Sequence, residues 1–190
     1  KNEKLIKLEN STIWIEHLAA VMARTCVESE GLKDEFREIV KGRFCALLNE
    51  LTDSKRFFGS NWVENISRMF LDAASGSKAA KFTVKLDEPS SDALNNLKSI
   101  EKLLSKHKIE PERFRQAIVS LKNYLSILLF LDPIDSIPIC AELSDCLEAH
   151  FSKTSKKTKV QSSLEAVMPT MVDILMTFLS KSSQLTRKMC

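Results

Sequence analysis

The chain has 190 residues, 44% hydrophobic and 28% charged, an ordinary globular balance that can support a packed core. Four glycines and five prolines are too few for an all-β protein, which needs turn residues at short intervals. A net charge of +3 permits a nucleic-acid partner without demanding one, and no apolar run reaches the ~18 residues of a membrane-crossing helix, so no membrane partner is expected.

Apolar residues recur at helical spacing through nearly the whole chain. The first expected helix covers about 12–28, with Trp14, Leu18, Val21 and Met22 on one face, and Gly31 breaks it. The second, about 33–51, carries the stripe Phe36, Ile39, Val40, Phe44, Leu47, Leu48 and Leu51. Ser60 or Asn61 can cap a third, whose apolar face is Trp62, Ile66, Met69, Phe70 and Ala73. Residues 75–90 are ambiguous, with room for one short helix before a polar turn at Glu88-Pro89-Ser90-Ser91. Asp92 then opens a fourth helix with Leu94, Leu97, Ile100, Leu103 and Leu104.

Pro111 fits the first turn of a fifth helix, with the stripe Phe114, Ala117, Ile118, Leu121, Leu125, Leu128 and Leu129. Asp132-Pro133 ends it and starts a sixth over about 134–151, carrying Ile139, Leu143, Cys146, Leu147 and Phe151, with Pro138 near its first turn. A last full helix spans about 163–180, where Pro169 should bend it or mark its start. Ser182 can cap a further helix. No segment shows convincing period-two alternation.

Short connections favour antiparallel hairpins. The expected fold is therefore all-α, a HEAT/armadillo-like helical-hairpin array, an α-solenoid segment. No strict repeat is visible, so an irregular bundle competes with a degenerate array. The expected organisation is a helical-repeat segment over 1–151, an exposed basic linker over 152–162, and a continuation of the array over 163–190. The chain starts at Lys1, and Cys190 falls inside an expected helix. Both ends are accordingly expected to be cut from a longer polypeptide.

The search for catalytic chemistry is mostly negative. His17, His107 and His150 are far apart, and none has a second ligand at metal spacing, so no metal is expected. Phosphate-cradling glycine loops are absent, and neither a cofactor nor a small-molecule substrate is implied. Asp132 and Asp135 resemble half of a two-metal site, but a D-P-x-D run between helices is better explained as a stop followed by a cap. Cys26, Cys45, Cys140, Cys146 and Cys190 show no CxxC spacing and are expected to be buried free thiols of a reducing compartment. Met168, Met171 and Met176 fit a core stripe or a soft docking surface.

Three groups of cations stand out. Lys153, Lys156, Lys157 and Lys159 fill the expected linker without an acidic neighbour. Lys98, Lys102 and Lys106 are four residues apart and share one helical face. Lys78, Lys81 and Lys85 form the third group. Each cation held near a phosphate releases about one counterion, giving salt-sensitive affinity without sequence reading. The plainer alternative is that these lysines solvate an exposed face, helped by acids such as Glu101. Aromatic residues do not interleave with them, which disfavours a base-stacking platform.

The order of segments carries a resemblance. Gly42-Arg43-Phe44-Cys45-Ala46-Leu47-Leu48-Asn49-Glu50-Leu51-Thr52 precedes a Trp-led helix from Trp62. Leu131-Asp132-Pro133 is followed by Ala141-Glu142-Leu143-Ser144-Asp145-Cys146-Leu147-Glu148. Met171-Val172-Asp173-Ile174-Leu175-Met176-Thr177-Phe178-Leu179-Ser180 then leads to Ser183-Gln184-Leu185-Thr186-Arg187-Lys188. Over roughly 36–190 this resembles the DNA polymerase phi family, also called DNA polymerase V, whose animal members are Myb-binding proteins. The closing segment is the most specific, a Val-Asp-x-Leu-Leu-like helix followed by a Ser-Leu-x-Arg-Lys-like helix start.

The resemblance implies a large nucleolar protein with a HEAT-like array, acting in ribosomal RNA production and assembly of the large (pre-60S) ribosomal subunit. It implies no polymerase fold, and no enzymatic activity is expected of this segment. The partners it implies are pre-ribosomal RNA and ribosome-assembly proteins. The chain's own charge pattern supplies the expected RNA-binding residues, Lys153, Lys156, Lys157 and Lys159 first, then Lys98, Lys102 and Lys106. Two rivals remain, a protein-binding adaptor that touches no RNA and an enzyme whose active site lies outside this segment.

Overall fold

A computed structural model of the chain describes residues 2–27, 33–53, 62–78, 82, 84–106, 111–153 and 161–180; the side chains of 2–13, 52–53, 152–153 and 161–166 are outside that description. Seven helices occur among the described residues, and no strand. They are α1 (Asn2–Val27), α2 (Asp34–Asp53), α3 (Trp62–Ser75), α4 (Glu88–Lys106), α5 (Glu112–Leu131), α6 (Pro133–Lys153) and α7 (Gln161–Ser180). The fold is all-α, a helical-hairpin array as the periodicity implies. None of the described helices is long and apolar enough to cross a membrane. The chain forms two compact units, Lys1–Lys85 and Leu86–Cys190.

In the first unit α1 packs on α2, and α3 packs on both. The contact is made through small residues: Ala19, Ala20 and Ala23 are buried, whereas Trp14 is 65% exposed and Val21 is also exposed. This corrects the expected face of α1, because alanines let a neighbouring helix approach closely and so define the contact even where larger apolar groups compete. On α2 the buried line is Phe44, Leu48 and Leu51, and Phe36 and Ile39 face solvent. Ile39 lies about 100° round the helix from Val40, off that line.

Trp62, Ile66, Phe70 and Ala73 of α3 are buried as their spacing predicts, and Met69 is half-buried. Phe70 meets Phe44 edge-on with ring centroids 6.1 Å apart, and Phe82 at 5.9 Å. Such edge contacts add to the area term of aromatic burial. α3 ends in a Schellman turn: Gly76 takes φ +65°, and the Ser77 N–H donates to the Asp72 carbonyl at 3.2 Å. Further on, the Val84 N–H donates to the Ala73 carbonyl of α3 at 3.2 Å.

The ambiguous stretch 75–90 resolves into two parts. The described residues of 76–87 are not helical, and Glu88-Pro89-Ser90-Ser91 is the first turn of α4, not a separate turn. Asp87 is the cap. Its Oδ1 accepts the Ser90 N–H at 3.1 Å, and its carbonyl accepts the Ser91 N–H at 2.9 Å. Pro89 is tolerated because first-turn N–H groups have no helical partner.

In the second unit α4 packs most extensively on α6, α5 packs on both, and α7 packs on α6. Ala93, Leu94, Leu97, Ile100 and Leu104 of α4 are buried, as are Ile139, Cys140, Leu143 and Leu147 of α6. α5 departs from a one-faced stripe, since every residue from Leu121 to Leu131 is buried, Lys122, Asn123 and Ser126 included. Its exposed Ala117 corrects the expected stripe.

Pro111 is the cap of α5, one place before its expected position, with the Phe114 N–H on its carbonyl at 2.9 Å. Asp132 serves both helices it joins. Its N–H donates to the Leu128 carbonyl at 2.6 Å, and its own carbonyl accepts the Ser136 N–H at 3.2 Å and the Ser136 hydroxyl at 2.7 Å. α6 begins at Pro133, which places Pro138 in the second turn, on the exposed side. α7 begins at Gln161 and runs through Pro169, so that proline does not mark its start.

Candidate nucleic-acid interface

The lysine ridge is built on α4. Its apolar residues face inward, and helical geometry puts Lys98, Lys102 and Lys106 outward, all three exposed. Each step of four residues advances about 6 Å along the axis and about 40° around it. The ridge is therefore a slowly turning line of ammonium groups on a helix fixed by burial. None of the three lysines has an ion pair among the described residues.

Acids stand on both flanks of this line, and both are engaged elsewhere. On one flank Glu101, 65% exposed, binds Lys122 of α5, with Nζ 3.2 Å from Oε2 and the lysine side chain only 10% exposed. On the other, Ser99 of α4 lies 3.0 Å from Ser144 Oγ and 2.9 Å from Glu148 Oε1, both on α6. A serine hydroxyl carries one proton and can accept as well. The Ser99 Oγ is also 2.9 Å from the Asn96 carbonyl of its own helix, so its one proton is shared between that carbonyl and Glu148, while Ser144 lies within bonding distance of both Ser99 and Glu148; the group ties α4 to α6. Glu101, the acid that the plainer solvation alternative would pair with the lysines, has its carboxylate on Lys122.

The other cationic groups are not assembled in this way. Lys78 and Lys85 are exposed in the non-helical stretch after α3, and Lys81 lies outside the described residues. Lys153 is the last residue of α6; Lys156, Lys157 and Lys159 lie outside the described residues, as does His107. The methionines divide: Met171 is buried with Val167, Ile174 and Phe178, whereas Met168 and Met176 are exposed beside Val172 and Leu179. His17 is exposed.

Among the described residues no group of three or more His, Cys, Asp or Glu gathers in a way that could hold a metal ion. The Asp132–Asp135 run forms the α5–α6 junction described above. Cys26, Cys45, Cys140 and Cys146 are free, with Cys140 buried and the others half-buried; Cys190 lies outside the described residues. Burial pushes the Cys140 and Cys26 thiols up to about 12, so both stay protonated and unreactive at neutral pH.

Two of the ridge's determinants could not be found by pattern. The Glu101–Lys122 and Ser99–Glu148 contacts join residues 21 and 49 apart in sequence, on different helices. The one available signal was Lys122 itself, a cation inside an otherwise apolar run.

Fold and ridge together define a class: an all-helical hairpin protein that carries on α4 a line of exposed cations with no ion pair among the described residues. The sequence model of the DNA polymerase phi family matches residues 17–190. The chain belongs to that family. The match extends upstream of the roughly 36–190 over which the resemblance was legible. No curated protein and no solved structure matches the chain.

Proposed function

We propose that this chain is a non-catalytic scaffold segment that grips RNA phosphates, within a nucleolar factor acting in ribosomal RNA production and large-subunit assembly. The observation that carries the reading is the α4 ridge, where Lys98, Lys102 and Lys106 are exposed, evenly spaced and without an ion pair among the described residues. Exposed lysines paired with acids would add little beyond solvation, but unpaired ones attract and neutralise phosphates. Family membership supports the cellular setting, with pre-ribosomal RNA and assembly proteins as partners. No cofactor, membrane or small-molecule substrate enters this reading.

Charge reversal tests it. The K98E/K102E/K106E variant of the full chain should lose most of its affinity for RNA in an anisotropy titration, with its helical circular dichroism retained. Undiminished affinity would remove the ridge from the account. The variant K153E/K156E/K157E/K159E asks the same of the second lysine group, and an unchanged affinity there would confine binding to α4.

A second reading is favoured by one surface. Met168, Val172, Met176 and Leu179 form an exposed apolar strip along α7, suited to a protein partner. A pull-down before and after nuclease treatment separates the two. Assembly proteins that stay bound after nuclease favour an adaptor, and proteins released by it favour RNA.

A further inference from the structure

The ridge works only if its own acids leave it alone, and the structure contains a device for that. Glu101 sits about 60° round α4 from Lys98 and one turn further along, the i,i+3 relation at which helical side chains meet. Left to itself, that carboxylate would pair with the Lys98 ammonium. In the structure it turns to Lys122, whose Nζ is 3.2 Å from Oε2. Lys122 rises from the buried part of α5 with its side chain 10% exposed, so its ammonium has few places to go and, among the described residues, one anionic partner. A buried cation holds its counter-charge more firmly than a solvated one, because its alternative is an unpaired charge out of water. Lys98, by contrast, has water as an equal alternative.

We propose that Lys122 is a positioning residue for the anion-binding ridge: by holding Glu101 on the α5 side, it keeps Lys98 free for a phosphate. The inference rests on the RNA-binding reading of α4 and deepens it, since it names a residue that touches no RNA and still sets how many phosphates the ridge engages. It also accounts for a lysine placed among Leu121, Leu125 and Ile118, where an apolar residue would pack without needing a partner.

The test uses the full chain and an unstructured oligouridine, with binding followed by anisotropy across a salt series. Lys122→Met keeps an unbranched chain in the buried position and releases Glu101. The slope of log affinity against log salt should become shallower by the contribution of one phosphate contact. That is about a threefold smaller loss of affinity over a fourfold rise in salt. The double variant K122M/E101Q has no carboxylate to release and should regain the wild-type slope. An RNA-free readout accompanies it: the Lys98 amine should be acetylated more slowly in K122M than in wild type, and at the wild-type rate in the double variant.

A K122M slope and Lys98 acetylation rate equal to wild type would overturn the proposal, as would a shallow slope that persists in the double variant. These results differ from failure of the underlying reading, in which K98E/K102E/K106E itself leaves RNA binding intact.

Discussion

The two units hold their helices together in different ways. Lys1–Lys85 packs through buried alanines on α1 and an aromatic chain of Phe44 on α2, Phe70 on α3 and Phe82 beyond it. Leu86–Cys190 has a mainly aliphatic core and shows polar ties between helices, Lys122–Glu101 from α5 to α4 and Ser99–Ser144–Glu148 from α4 to α6. Apolar packing is non-directional and says little about what stands on the outer surface. Polar ties are directional and fix which charges are already engaged.

The largest effect expected from this contrast is in the aromatic chain. Phe70 is completely buried and touches both other rings, so Phe70→Ala should cost about 3–5 kcal/mol in urea unfolding. A loss below about 1 kcal/mol would mean that the aromatic chain does not organise the unit. Next comes the turn that follows it. A Cβ on Gly76 would meet nothing within 4 Å, so only its φ of +65° opposes a side chain. Gly76→Ala should therefore cost about 1–2 kcal/mol, the left-handed penalty alone.

In the second unit the expected cost is smaller. Lys122→Met removes a buried cation while leaving Glu101 largely in water, so stability should change by less than about 1 kcal/mol or rise. A loss of several kcal/mol would show that the ion pair holds the fold, not the surface. Cys140 gives a pH test. Its thiol is pushed from the ordinary 9.0 to about 12 by burial, so the unfolded chain ionises first as pH rises. Its contribution is complete below pH 9 and is lost between about 9 and 12. Cys140→Ala should flatten that part of the alkaline stability curve. The smallest effect is at Asp87, where bonds from Ser90 hold the exposed carboxyl below its ordinary value. Its support for α4 is present above that ordinary value and fades in acid. Asp87→Ala should therefore lower the melting temperature slightly at neutral pH and not at all in strong acid.

Much of this architecture was legible in sequence because helices announce themselves by period. Phe44, Leu48, Leu51, Phe70, Leu97, Leu143 and Leu147 fall where spacing puts them. Spacing fails where tertiary context decides between equivalent faces. On α1 small alanines win over Trp14 and Val21, and on α5 burial on all sides erases the polar face that a stripe implies. Caps were partly misread for a local reason: Asp87 and Asp92 both suit an N-cap, and Pro89 between them looks like a breaker although it fits a first turn. The ridge lysines were legible as i,i+4 neighbours. Their freedom from acids was not, because it depends on Lys122 and Ser99 bonding across helices.

The account depends most on phosphates being met by the free ammonium groups of α4. The direct measurement is the salt dependence of RNA affinity for the wild-type chain and for K98Q/K102Q/K106Q. Neutralising three contacts should flatten the slope of log affinity against log salt by about 2–3, with helicity unchanged. Identical slopes for the two proteins would contradict it.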